Sequence, residues 1–164
     1  MPSYCQIISS ALPLSLESIG NDWIQETIER PDGYPLYHWI QTTAGQGEIW
    51  IDGQNILLKE GQGILIPPHM PHTYHPTDSW ETCFATFNGT IQEQIPKILG
   101  TDQWILGENT DKYSYTDWIE QTLERYKSYQ INSLTTSKDI YSFLQQLAQN
   151  NVHAHAKIAQ PIYF

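Results

Sequence analysis

"GQGILIPPHMPHTYHP", residues 61–76, places three histidines and four prolines within sixteen residues. His69, His72 and His75 are spaced three apart, which on a helix would bring imidazoles to one side, as a metal site requires. Pro67, Pro68, Pro71 and Pro76 exclude that helix, because each lacks an N–H and clashes with the preceding turn. The stretch is therefore extended, with a turn over the prolines. Side chains of an extended chain alternate, so His72 and Tyr74 share one face while His69 and His75 point away. The three imidazoles do not converge on one ion.

The same extended character runs outward in both directions. From Trp23 to Phe87, short apolar stretches alternate with Gly, Pro and Asp roughly every 8–12 residues, the cadence of an all-β fold. Strands are expected at 23–30, 36–43, 47–51, 55–59, 63–66, 72–75 and 80–87. Asp52-Gly53 in "IDGQN" is a strong hairpin signal, and "PDGYP" (31–35) is a second turn. After Gly89 the period changes. "IQEQIPKILG" (91–100) predicts a short helix interrupted by Pro96. "SYTDWIEQTLERYK" (114–127) predicts an amphipathic helix with Ile119, Leu123 and Tyr126 on one stripe, capped by Ser114 with Asp117. A further helix over 137–149 carries Ile140, Phe143, Leu144 and Leu147 on one face, with Thr136 and Asp139 repeating the cap. A short polar loop between the two makes an antiparallel hairpin. The apolar face at 140–147 serves either as core or as a dimer seam.

Composition narrows the function classes. The chain has 164 residues, one domain's worth, and a formal net charge of −10. An acidic chain has no electrostatic affinity for a phosphate backbone, so DNA binding by this chain itself is not expected. Cys5 and Cys83 form no disulfide framework, and no apolar run approaches the ~18 residues of a membrane span. A soluble, cytoplasmic protein without membrane contact is expected. No Gly-x-Ser-x-Gly or phosphate loop is present, and Cys83 lies mid-strand without a recognisable histidine partner, so nothing supports nucleophilic catalysis.

Gly61, Pro67 and His72 fit G-x5-P-x4-H, which resembles the second motif of the cupin superfamily. His69 stands where that motif has a glycine. Counting back from Gly45 puts His38 in the place of the first motif's glutamate, and that motif's two histidines are missing. The resemblance implies a small barrel and, as an alternative function, a metal-dependent enzyme such as an isomerase or dioxygenase. His38 and His72 alone would leave half of a tetrahedral shell empty, so no metal or other cofactor is expected.

A longer match, "ERPDGYPLYHWIQTTAGQGEIWIDGQNILLKEGQGILIPPHMPHTYHP" with "WETCFATFNG" (80–89), resembles the N-terminal ligand-binding domain of AraC-type transcriptional regulators of Gram-positive type. It runs from about Leu12 to Gly89. The resemblance implies a mainly β fold, a cupin-like (jelly-roll) β-barrel followed by a C-terminal antiparallel helical hairpin. Residues 1–20, broken by Pro2, Pro13 and Gly20, read as an extended arm or a first irregular strand; the resemblance implies an N-terminal arm over 1–20 that lies over the pocket mouth near Leu12–Leu16, with 21–100 as the barrel and 101–150 as a helical dimerisation hairpin. Residues 151–164, with His153 and His155, would link to an absent helix-turn-helix domain. The function implied is effector binding and homodimerisation in a transcription regulator that senses a small polar molecule, a sugar-type carbohydrate, with an organic acid pairing with Arg30 as the alternative ligand. DNA would be contacted only through the missing C-terminal domain. The resemblance implies Arg30, Tyr74, Thr82 and Phe84 as ligand-binding positions, and residue chemistry adds His38 and His72 as candidates. Their chemistry suits a polyol: Arg30 offers a rigid fork of donors, and neutral His38 and His72 each donate and accept. Tyr74 and Thr82 carry hydroxyls, and Phe84 a stacking face. The structural alternatives are Arg30 paired with Glu29 or Asp32 at the surface, and His38 and His72 as hydrogen-bonded core residues. A constitutive dimerisation scaffold is a third reading of the whole.

Overall fold

The computed structural model describes residues 2–6, 12–128 and 133–150. The linker expected over 151–164 lies outside them. The described residues form eight strands, β1 (Ser3–Gln6), β2 (Ser15–Ile24), β3 (Ile28–Arg30), β4 (Tyr37–Ile51), β5 (Gln54–Leu58), β6 (Gln62–Ile66), β7 (His72–Asn88) and β8 (Ile105–Glu108). Three helices follow or interrupt them: α1 (Ile95–Leu99), α2 (Tyr115–Lys127) and α3 (Ser133–Asn150).

All strands belong to one antiparallel sheet in the order β1-β2-β7-β4-β6-β8, with β3 added to β7 and β5 to β4. Among the described residues no ladder joins β1 to β8. The expectation of a closed jelly-roll barrel is therefore corrected to an open, mainly β, cupin-like sheet with two C-terminal helices. The physical reason lies in β4 and β7, fifteen and seventeen residues long. The sequence predicts each as two separate strands, 36–43 with 47–51 and 72–75 with 80–87. Instead each runs on through register shifts at Thr42/Ala44 and Gly45/Gly47, and each half takes a different neighbour. β4 pairs with β6 through its first half and β5 through its second. β7 pairs with β3 at His72–Tyr74 and with β2 beyond Trp80. The shifts require glycine. At Gly45, with φ +73°, a Cβ would overlap the Ser79 carbonyl, and at Gly47 it would enter the Trp80 ring. Such shifts bend a strand and sharpen its twist, and Pro76 is tolerated within β7 beside them.

The hairpin expected at Asp52-Gly53 forms. Both residues have positive φ, 52° and 72°, as a type I′ turn needs, and Ile51 pairs with Gln54. Ser114 caps α2, its hydroxyl accepting from the Asp117 amide. α3 begins earlier than expected, so Thr136 lies inside the helix. Arg125, near the end of α2, meets Asp139 near the start of α3 at 2.7 Å. Asn150, at the end of α3, donates to the Tyr115 hydroxyl at the start of α2. The two helices therefore run antiparallel.

The sheet separates two apolar clusters. On one face Tyr37, Trp39, Cys83, Ala85 and Phe87 pack against the helices, around Tyr115, Ile119, Phe143 and Leu147. Ile140, Phe143, Leu144 and Leu147 are all fully buried there, so the apolar stripe of α3 is intramolecular core. On the other face Ile40, Ile49, Ile51, Ile64, Tyr74 and Trp80 make a smaller cluster, and the polar residues described below lie beside it. Residues 3–6 and 15–24, within or overlapping the stretch expected as an arm, run as β1 and β2 in the sheet, with Ser3 opposite Asn21.

Candidate functional site

The site is assembled by strand register. Arg30 ends β3 directly opposite His72 on β7, and Ile28 lies opposite Tyr74. His38, at the start of β4, pairs with Thr86 of β7 on the same sheet. The alternation inferred for 72–75 holds: His72 and Tyr74 are buried, and Thr73 and His75 are partly exposed. His75 instead approaches Glu48 at 3.5 Å near the surface.

Arg30 is the centre of the arrangement. Its Nη1, with two hydrogens shared among three acceptors, faces His38 Nδ1 (3.0 Å), Tyr74 Oη (3.3 Å) and His72 Nε2 (3.4 Å). The His72 tautomer follows from its other contact. Nδ1 lies 2.9 Å from the Met70 carbonyl, which only accepts, so Nδ1 carries the proton and Nε2 accepts from Arg30. By the same reasoning His38 accepts at Nδ1 and carries its proton at Nε2. Burial, then the neighbouring guanidinium, holds the His38 pKa well below its ordinary 6.5. Burial lowers that of His72 too, against the opposing effect of its hydrogen bond to the Met70 carbonyl. Both imidazoles are thus neutral acceptors facing a cation. Arg30 makes no ion pair among the described residues, so its pairing with Glu29 or Asp32 is not realised.

The loop before β4 completes the wall. Arg30 Cζ lies 4.8 Å from the Tyr34 ring centroid. Tyr34 sits in the "PDGYP" turn, where Gly33 (φ +72°) donates to the Arg30 carbonyl. A Cβ at Gly33 would strike the His69 backbone, and His69 N–H donates to the Tyr34 carbonyl at 2.7 Å. The first turn is thereby fastened to the proline-rich one. His69 itself takes φ +63°, the left-handed conformation that glycine adopts most easily.

From Tyr34 a polar chain continues along β2. Its hydroxyl donates to both carboxylate oxygens of Glu17 (2.9 and 3.0 Å), and Thr86 Oγ1 donates to Glu17 Oε2 at 2.8 Å. Thr86 has only that one hydroxyl hydrogen, so Ser18 must donate the short bond between Ser18 Oγ and Thr86 Oγ1. Beside it, Thr82 donates to Gln25 Oε1 at 3.0 Å.

These residues enclose a cavity of about 200 Å³ whose lining includes Arg30, His38, Tyr34, Tyr74, Ser18, Gln25 and Thr86. Tyr4, Trp23 and Phe84 close one side as an aromatic cluster, with ring centroids 5.7–6.1 Å apart. Of the six positions singled out in the sequence, Arg30, His38, Tyr74 and Phe84 line this cavity. Thr82 lies behind Gln25, fully buried. His72 touches Arg30 from the far side and faces a neighbouring cavity of about 280 Å³ with Trp50 and Pro71. Ser18, Gln25, Tyr34 and Thr86 were not anticipated. The polar side chains Ser15, Glu17 and Ser18 among the apolar residues of 14–19 were the available signal for Ser18.

A metal would compete poorly here. The ring nitrogens of His38 and His72 that lack a proton both point at the Arg30 guanidinium. Among the described residues no group of three or more His, Cys, Asp or Glu side chains is placed to hold an ion. No described helix is long and apolar enough to cross a membrane.

Comparison with known proteins agrees with the fold. A family model described as the AraC-like ligand binding domain matches residues 20–157. No curated protein gives a significant sequence match. Among solved structures, unsaturated fatty acid-bound ToxT from Vibrio cholerae strain SCE256 superposes with a TM-score of 0.58 at 9% identity, over 90% of this chain and 55% of ToxT. ToxT from Vibrio cholerae O395, bound to (E)-4-(8-methylnaphthalen-1-yl)but-3-enoic acid, gives 0.55 at 8% identity, over 90% and 57%. The chain thus spans little more than half the length of ToxT.

Proposed function

The chain belongs to the AraC-like ligand binding domain family, and on that premise we propose that it is the effector-sensing part of a transcriptional regulator. Its task is ligand binding, not catalysis. A small polar molecule enters the cavity beside Arg30 and is held by Arg30, His38 and Tyr74, with Phe84 and Trp23 against its apolar face. His72 and Thr82 act one layer behind, orienting Arg30 and Gln25. The observation that carries the reading is a partly open cavity with an arginine that has no acidic partner among the described residues, set among neutral acceptors. A sugar satisfies the hydroxyl-rich wall, and ToxT is a relative in fold whose structures hold carboxylic acids.

Regulation then follows from linkage. The effector shifts the domain between two states only in so far as it binds one of them better. β1 and β2 carry Tyr4 and Trp23 at the cavity, so they are the elements an occupant would order first. Homodimerisation is proposed through the outer surface of the helices, where Leu134 and Tyr141 are exposed, since the inner stripe is core. Contact with DNA is assigned to a further domain, in keeping with the net charge of −10.

The test is a thermal-shift screen of the chain against sugars, sugar phosphates, organic acids and divalent metals, since binding to the native state raises Tm by mass action. A shift with a small molecule that is lost in Tyr74→Phe or Arg30→Gln supports the reading. A shift confined to metals and reversed by chelator refutes it.

A further inference from the structure

Hydrogen-bond capacity along the cavity wall is divided unequally, and the division specifies the occupant. Arg30 stands on that wall. All of its side-chain bonds leave from Nη1, so Nη2 and Nε have no hydrogen-bond partner among the described residues. That free edge presents parallel N–H donors, the geometry that grips a carboxylate in a fork. Elsewhere on the wall the hydroxyl hydrogens of Tyr34 and Thr86 go to Glu17 and that of Ser18 goes to Thr86. What remains at Ser18 Oγ and Tyr34 Oη is lone pairs. Arg30 therefore only donates, and the Ser18 and Tyr34 hydroxyls are left to accept.

From this we infer that the effector is a hydroxylated monocarboxylic acid of monosaccharide size, its carboxylate on the free edge of Arg30 and its hydroxyls donating to Ser18 and Tyr34. The inference rests on the effector-sensing reading of the same cavity. A neutral sugar would leave the guanidinium without a counter-charge, in a site where its neighbours are two imidazoles and two phenols. A phosphate dianion would bring a second negative charge that one guanidinium does not balance, with the Glu17 carboxylate close behind Tyr34. The volume favours a short body over a long alkyl chain: about 200 Å³ is below the roughly 300–1,000 Å³ of pockets for drug-sized molecules. The Tyr4–Trp23–Phe84 cluster supplies a face for the C–H groups of a short polyhydroxylated body.

The experiment is calorimetric titration of the chain with D-gluconate, D-glucuronate and D-galacturonate, beside D-glucose, D-galactose, glucose 6-phosphate and butyrate. Wild type, Arg30→Gln, Arg30→Lys and Ser18→Ala are compared, each first shown to melt cooperatively. At least one hydroxy acid is expected to bind roughly 10- to 100-fold more tightly than its neutral counterpart, the worth of a hydrogen bond to a charged group. Arg30→Gln should erase that margin and Arg30→Lys retain part of it. Ser18→Ala should weaken the hydroxy acid and leave butyrate unchanged. The inference is overturned if a neutral sugar, the phosphate or butyrate binds as well as the acids, or if no acid binds. In those cases, binding that still responds to Arg30→Gln or Tyr74→Phe leaves the cavity as the effector site. Binding indifferent to every cavity variant removes the site reading as well.

Discussion

Arg30 Nη1 stands 3.0 Å from Nδ1 of His38, a guanidinium against a fully buried imidazole. A protonated His38 would place two cations in contact out of water, so the fold holds the ring neutral. His72, which accepts from the same nitrogen, is constrained alike. The unfolded chain has no such constraint, and there both rings titrate near 6.5.

The sign of the pH dependence follows. A histidine with a depressed folded pKa contributes stability that is fully present above the unfolded value. That stability is lost as the pH falls below 6.5 toward the folded value, because the unfolded state takes up more protons. Each such histidine costs up to about 1.4 kcal/mol per pH unit across that window. Thermal melts between pH 7.5 and 5.0 should show Tm falling with acidity, and His38→Asn should flatten the profile. A profile unchanged by that substitution would locate the acid sensitivity elsewhere.

Gly45 and Gly53 have nearly the same φ, +73° and +72°, in different surroundings. A Cβ at Gly45 would lie 1.9 Å from the Ser79 carbonyl oxygen, while at Gly53 nothing lies within 4 Å. Gly53→Ala should cost about 1–2 kcal/mol, the left-handed penalty alone. Gly45→Ala should cost more, since the β4–β7 crossing must also move apart. Urea unfolding of the two variants makes the comparison.

His69 holds a left-handed backbone with an exposed side chain. His69→Gly removes a strain of about 1–2 kcal/mol and returns part of it as added freedom of the unfolded chain. A net gain of about 0.5 kcal/mol is expected, read as a small rise in Tm. A fall would mean that the imidazole makes a contribution of its own.

Phe143 is fully buried, with ring contacts to Trp39, Phe87, Tyr115 and Trp118. Phe143→Ala should cost about 3–5 kcal/mol. If α3 instead offered this face to a second copy, sedimentation would show the variant dissociating while its monomer kept full stability.

The sequence made legible those features set by alternation and by turn chemistry. Prolines 67–76 fixed an extended segment, Asp52-Gly53 fixed a hairpin, and the 3.6-residue stripes fixed α2 and α3. Closure of the sheet was not legible, because Gly45 and Gly47 carry the same local signal whether they end a strand or bend one. What they do depends on Ser79 and Trp80, more than thirty residues away. β8 went unseen because four residues paired only to β6 leave little pattern. In the cavity, Arg30, His38, Tyr74 and Phe84 stood out by residue type and motif. Tyr34 and Thr86 belong to the wall only because a turn and a strand from different parts of the chain meet there.

His38 and Trp39 are consecutive residues on β4, and alternation sends them to opposite sides of the sheet. His38 reaches Arg30 in the cavity. Trp39 lies against Tyr115 and Phe143, with ring centroids 5.0 and 5.4 Å away. Thr86 and Phe87 repeat the arrangement on β7, the first bonded to Glu17 and the second packed on Phe143. The partition between cavity and helices is one peptide unit thick, at two adjoining places. A tilt of either strand is a single rigid motion with one end in the cavity and the other under the helices, a seesaw whose pivot is the sheet itself.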